Sequence, residues 1–310
     1  MTMSKRDLFG CERLGEQYVR HVHKSGLTVL VFPKKMHTMS AAVVVRYGAQ
    51  DTRFATNGRV PHTYPEGVAH YLEHQLFTRA DGTTVDEAFS SLGADVNAWT
   101  NHEKTAYTVS TARHPMKVLR ALLDFVTHPT FTEASVQKEQ GIIAQEIRMV
   151  ADDPWEALHR RSMSTMYPHH AVTHGICGSE RSIARITPEV LYDCYHAFYR
   201  PELMCLTVCG DISDEQVMAV VDEVLGERTQ EPSALKRARD GSYQTRMPVL
   251  HRSVGRANIS KPMFQIAWRD DTAFADPVER LSHVLAMDVI SEILFSRAGV
   301  LYNRLLERGN

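Results

Sequence analysis

An α+β fold is predicted, a mostly antiparallel sheet packed with helices, and three observations lead there. The segment EQYVRHVHKSGLTVLVFPKK holds two strand-like runs joined at Lys24-Ser25-Gly26, a hairpin signal. Two further strand-like runs, ADVNAWT and TAYTVSTA, follow one another with no helix between them. Helical patterns then come in succession, whereas a doubly wound parallel sheet alternates single strands with single helices.

The elements follow in order. After the hairpin, AAVVVRY over Ala41 to Tyr47 is rich enough in β-branched residues for a buried strand. Helical spacing begins at about Gly67 in GVAHYLEHQLF. TTVDEAFSSLG makes a short helix, with Thr83 or Thr84 as N-cap and Gly93 closing it. The two strands ADVNAWT and TAYTVSTA come next. Residues 115–127 and about 133–151 are helical, and Pro154 interrupts before another helical run. LMCLTVCGDI is a strand and SDEQVMAVVDEVLG a helix ended by Gly226.

Beyond it, ERTQEPSALKRARDGSYQTRM is polar and poor in large apolar groups, as a linker is. The pattern then restarts with strand-like MFQIAWR and helical DPVERLSHVLAMDVISEILF. The expected organisation is a first domain over 1–227, a linker over 228–247 and the start of a second domain over 248–310. The second region is short for a domain and stops inside a helical pattern, so it is expected to be incomplete.

Composition narrows the function classes. The net charge of −2 supplies no field to steer nucleic acid. No stretch approaches the roughly 20 apolar residues that span a bilayer, and the N-terminal segment has no apolar signal core. The 5 cysteines are odd in number and lack CxxC spacing, against both a disulfide framework and a cysteine zinc cluster. Cys205 and Cys209 lie in the apolar run MCLTVCG, where they suit small core positions. A reducing cytosol fits these features.

The chemistry concentrates in GVAHYLEHQLF. On a helix, residues i, i+3 and i+4 share a face, so His70 and His74 can address one ion with Glu73 beside them. Imidazoles suit zinc, which takes three protein ligands and a water in catalytic sites. His-x-x-Glu-His reverses the commoner His-Glu-x-x-His order and is the signature of the inverted zincins. With 16 histidines in the chain, a chance match has a probability on the order of one in twenty, so a third ligand is needed to decide. KEQGIIAQEIRM offers two candidates, Glu139 and Glu146, which lie seven apart on one helix face among Ile142, Ile143 and Ile147. A buried carboxylate is costly unless paired or bound to a metal. The stretch Tyr167-Pro168-His169-His170 to His174 lacks helical spacing and a partner acid, and is read as a loop.

Four segments together carry a resemblance: EGVAHYLEHQLF, LGADVNAWTNHEKTAYTVST, KEQGIIAQEIRMVADDP and FSRAGVLYNRLLERG. In order and spacing the chain resembles the pitrilysin/insulinase-like zinc metallopeptidases, especially their smaller bacterial cytosolic members. The resemblance covers most of residues 15–225 and continues more faintly to the end. It implies two related α+β lobes, of which this chain holds only the start of the second. It implies zinc bound by His70, His74 and Glu146, with Glu73 as catalytic base and Glu139 orienting a ligand histidine. Asn97 and Ala98 match the family's "NAxT" segment, whose edge strand accepts an extended peptide by β-augmentation. Gln75, Thr78 and Arg79 depart from what is typical after the metal helix.

The resulting expectation is a cytoplasmic zinc endopeptidase acting on extended peptides or unfolded segments, with no nucleic-acid or membrane partner. The alternative is a subunit of a paired peptidase-like assembly, a homodimer or a heterodimer with a related chain. An inert partner usually loses at least one site residue, and all four of His70, Glu73, His74 and Glu146 stand here. A purely regulatory zinc module is disfavoured because such a site fills all four positions with protein ligands.

Overall fold

Strand β1 (Lys5–Cys11) pairs antiparallel with β2 (Glu16–Val22), and β2 with β3 (Thr28–Pro33). The β2–β3 turn falls at Lys24-Ser25-Gly26, as the sequence predicts. Gly26 has φ 92°, and a Cβ there would lie 2.9 Å from the Cβ of Glu202, so the position has no room for a side chain. β1 itself is not legible in the sequence, because nearly all its side chains are exposed and no alternation results.

The computed structural model describes residues 5–56, 58–79, 83–168, 170–226, 228, 235–237, 252–256, 259–270 and 272–308. It divides into two units, Met1–Gln265 and Ile266–Asn310. In the first unit, β4 (Met39–Val45) precedes the short strands β5 (Arg53–Ala55) and β6 (His62–Thr63). Helices α1 (Val68–Leu76) and α2 (Val85–Ser91) lead to the hairpin of β7 (Ala94–Thr100) and β8 (Thr105–Thr111). Then come α3 (Pro115–Thr127), α4 (Glu133–Asp152), α5 (Pro154–Met166), α6 (Glu180–Ile183) and α7 (Pro188–Phe198). Strand β9 (Met204–Gly210), α8 (Asp214–Leu225) and β10 (Lys236–Arg237) complete the unit. α7 is absent from the sequence reading, although Leu191, Cys194, Tyr195 and Phe198 recur at helical spacing and are buried.

The main sheet has the order β1-β2-β3-β9-β4-β8-β7, and β10-β5-β6 form a second, small sheet. Every neighbouring pair in the main sheet is antiparallel except β3–β9. β9 arrives late in the chain and inserts between β3 and β4, and β7 lies at one edge of the sheet. One sheet face is apolar at alternate positions: Val29 and Val31, Val43 and Val45, Tyr107 and Val109, Leu206 and Val208. It joins one core with Val118, Leu119, Leu122 and Val126 of α3, Phe198 of α7 and Val217 and Val221 of α8. Burying each large apolar side chain contributes about 1.5–3 kcal/mol.

The stretch expected as a linker lies outside the described residues except for 228 and 235–237, and Lys236–Arg237 pair with β5. MFQIAWR does not form a strand. Residues 263–269 have no ladder partner among the described residues, and alternation without a partner edge yields no sheet. The second unit holds α9 (Pro277–Phe295) and α10 (Val300–Glu307), with Trp268 stacked on Phe295 at 6.3 Å. No helix among the described residues is long and apolar enough to cross a membrane.

Candidate metal centre

Helix α1 is short but held on nearly every side. Val68, Ala69, Tyr71, Leu72 and Leu76 are buried, and so are His70 and Glu73 at 7% and 8% exposure. The helix starts at Gly67, whose φ of 87° is left-handed. A Cβ there would lie 2.4 Å from the carbonyl oxygen of Cys177. Only glycine lets the helix begin so close to that loop.

Helix α4 begins at a capping box, with Thr132 Oγ1 accepting from the Ser135 amide and Ser135 Oγ from the Thr132 amide. Two contacts then fasten it to α1. The Tyr71 hydroxyl donates to the Val136 carbonyl at 2.5 Å. Gln75 Nε2 donates to the Ser135 carbonyl at 3.1 Å, and Ser135 Oγ donates to Gln75 Oε1 at 2.9 Å. The departure at Gln75 thus has a structural reason: the residue is fully buried and links the helices.

The clamp brings the α4 carboxylates opposite the α1 histidines. Glu139 Oε1 lies 2.8 Å from His74 Nδ1. Glu146 spans the pair, with Oε1 3.5 Å from His70 Nε2 and Oε2 3.5 Å from His74 Nε2. The two imidazole rings are 4.5 Å apart. Glu73 faces β7, where Thr100 Oγ1 donates to its Oε2 at 2.5 Å. A further group stands here: Cys177 Sγ is 3.8 Å from Glu146 Oε1 and 4.0 Å from His70 Nε2.

The electrostatics follow from this packing. Burial, then the neighbouring His74, pushes His70 down to about 3, so its ring is neutral. Burial also opposes charge on His74, but the Glu139 hydrogen bond and the charges of Glu139, Glu146 and Glu73 outweigh it and raise its pKa. Burial raises Glu73 against the opposing pull of the Thr100 hydrogen bond and His74. Burial, reinforced by Glu146, holds the Cys177 thiol up at about 12.

These residues fit a metal ion. His70 Nδ1 is buried without a hydrogen-bond partner, while Nε2 is aimed at a carboxylate too far away for a good hydrogen bond. Zinc bonds to nitrogen and oxygen of about 2.0–2.2 Å at tetrahedral angles put neighbouring ligand atoms roughly 3.3–3.6 Å apart, close to the 3.5 Å of both His–Glu146 pairs. Imidazole nitrogens and a carboxylate are a zinc-type donor set, and Glu139 Oε1 contacts the opposite nitrogen of the His74 ring, Nδ1, at 2.8 Å.

Asn97 and Ala98 lie on the edge strand β7, which ends at Thr100 beside Glu73. Asn97 Oδ1 accepts from the Ala98 amide at 2.8 Å. The His170 to His174 stretch is a turn around Ala171–Thr173, with His170 Nδ1 accepting from the Val172 amide; His169 is outside the described residues. Sequence reasoning missed Thr100 and Cys177. Thr100 is the last residue of the NAxT segment, Asn97-Ala98-Trp99-Thr100. Cys177 offered no signal, standing 107 residues from His70.

A His-x-x-Glu-His helix is the signature of the inverted-zincin metallopeptidases, and here it meets a glutamate from a second helix. Comparison with known proteins agrees. The family model described as Insulinase (Peptidase family M16) matches residues 34–180, and the one described as Peptidase M16 inactive domain matches 185–310. The uncharacterized zinc protease YmfH of Bacillus subtilis is 34% identical over 305 residues, 96% of this chain and 70% of that protein. The uncharacterized zinc protease YmxG of the same organism is 31% identical over 165 residues, 51% of this chain and 40% of that protein. A solved M16-like peptidase from Alicyclobacillus acidocaldarius superposes with a TM-score of 0.77 at 28% identity, covering 100% of this chain and 70% of that one. The chain belongs to the insulinase family, peptidase family M16.

Proposed function

We propose that this chain carries the zinc centre of an endopeptidase that hydrolyses peptides or unfolded segments held in extended form. The observation that carries the reading is the placement of one Glu146 carboxylate 3.5 Å from both His70 Nε2 and His74 Nε2. In this reading His70, His74 and Glu146 hold zinc, and Glu139 fixes His74 so that Nε2 faces the ion. Zinc bound there supplies Lewis acidity, lowering the pKa of a water and polarising the scissile carbonyl.

Glu73 is the general base. Thr100 occupies its Oε2, leaving Oε1 to take the proton of the attacking water and pass it to the leaving amine. Burial brings its pKa upwards, towards the working pH, where general bases are most effective. The edge strand β7 offers backbone groups around Asn97 and Ala98 for a peptide to pair with, which selects for extended shape more than for sequence. The same reading places the protein in a reducing compartment, the cytoplasm, consistent with five free thiols.

The test is metal analysis together with a peptide-cleavage assay. Zinc is expected at one per chain, with cleavage lost on chelation and restored by zinc. Cleavage that persists in metal-free protein would overturn the reading.

A further inference from the structure

We propose that Cys177 is a fourth protein ligand of the metal, holding the resting site closed until the thiolate is displaced. This inference rests on the metal centre proposed above.

Three observations carry it. The thiol is not on a free loop. Its carbonyl abuts Gly67 at the start of α1, and a Cβ on Gly178 (φ 74°) would lie 2.5 Å from the Glu66 carbonyl oxygen. The segment that follows is tied to α4, where Gln140 Nε2 donates to the Ile183 carbonyl at 3.1 Å and Arg148 pairs with Glu180 at 3.0 Å. Cys177 is therefore anchored to both helices that bring the other ligands.

Second, the donor atoms converge. His70, Glu146 and Cys177 each offer one ligand atom, all within 4.8 Å of one another; they form the one such group of three among the described residues, and His74 is not part of it. Cys177 Sγ stands 4.0 Å from His70 Nε2 and 3.8 Å from Glu146 Oε1. Both lie within about 0.4 Å of the roughly 3.6 Å that a shared tetrahedral ion sets between sulfur and nitrogen or oxygen. Third, His70 is nine-tenths buried, and its Nε2 faces both Glu146 Oε1 at 3.5 Å and Cys177 Sγ at 4.0 Å.

On coordination the S–H bond is replaced by an S–metal bond and the proton leaves to solvent; no electrons are exchanged. A metal ion deprotonates a coordinating thiol outright. Three protein ligands leave a position open for water, whereas four close it. Peptide hydrolysis therefore needs Cys177 to swing away.

X-ray absorption at the zinc edge of the wild-type chain tests this directly. One sulfur at ~2.3 Å is expected beside nitrogen and oxygen at ~2.0–2.1 Å. The cobalt-substituted protein should show a near-ultraviolet thiolate-to-metal charge-transfer band. Cys177→Ser should lose both signals and bind zinc at least ~10-fold more weakly, the low end of what outer contacts alone are worth. A wild-type shell of nitrogen and oxygen only would overturn the inference while leaving the histidine–glutamate centre standing. Sulfur that persists in Cys177→Ser would overturn it too. Wild-type protein that binds no metal would overturn both. The wild-type spectrum decides the matter even if the variant does not fold.

Discussion

The hydroxyl of Thr100 donates to the carboxylate of Glu73 at 2.5 Å, joining the end of the edge strand to the middle of the histidine-bearing helix. Glu73 is thereby oriented from β7, the same strand proposed to hold the peptide. Thr100→Val keeps the shape and removes the donor. The bond lowers the Glu73 pKa against burial, so its loss raises that pKa further and protonates the base at higher pH. The acid limb of the kcat/KM profile should move to higher pH, with a rate loss on the order of 10-fold below the new limb, since a hydrogen bond to a charged group is worth about 1.5–3 kcal/mol. An unmoved acid limb would detach Thr100 from the base.

Glu73→Gln should separate metal binding from chemistry. The amide is nearly isosteric but takes no proton, so zinc stays while turnover falls by at least ~10²-fold. Metal analysis and a peptide assay on the same preparation check it. Wild-type turnover would remove Glu73 from the base role.

Zinc content should depend on His70, His74 and Glu146. His70→Ala, His74→Ala and Glu146→Gln each remove one of the proposed ligands, and each should leave bound zinc well below one per chain by elemental analysis. Near-stoichiometric zinc in Glu146→Gln would move the carboxylate ligand elsewhere.

Glu139→Gln should act through His74. The amide keeps the packing but loses the charge that faces Nδ1 at 2.8 Å, and zinc affinity should fall ~10- to 100-fold. Competition with a chelator measures it, and circular dichroism should show the fold intact.

Asp214 predicts an acid limit to stability. At the start of α8 it accepts from Arg6 Nε at 2.8 Å and lies 2.7 Å from His21 Nε2. The Arg6 hydrogen bond first, opposed by burial and then aided by His21, holds its pKa down at about 2. A depressed carboxylate stabilises the fold above its unfolded pKa of about 3.9, and that contribution is lost as pH falls towards 2. Urea midpoints should therefore drop through this window in the wild type and drop less in Asp214→Asn.

Much of the architecture is legible because its signals are local. Lys24-Ser25-Gly26 marks the hairpin and Pro115 opens α3. Ser213 caps α8, Gly226 follows its end, and the 3.6-residue spacing of α1 and α4 is complete within each helix. Of the elements that escaped, α7 has helical spacing in Leu191, Cys194, Tyr195 and Phe198, whereas β1 lacks a local signal and MFQIAWR a local partner. β1 has almost no buried side chain to alternate, and MFQIAWR alternates without an edge to join.

The sequence alone determined that His70, Glu73 and His74 share one helix face and that Glu139 and Glu146 share another, since helical geometry follows from spacing. It did not determine, from spacing, which glutamate faces the Nε2 atoms. That was decided by the packing of α1 on α4 through Tyr71–Val136 and Gln75–Ser135, which puts Glu146 before both Nε2 atoms and Glu139 behind His74. Tertiary structure also inserted β9 between β3 and β4, set β7 at the edge beyond β8, and brought Cys177 to the centre past Gly67. These contacts join residues 60 or more apart in the chain. Their geometry comes from how buried surfaces fit together, and no local periodicity encodes that fit.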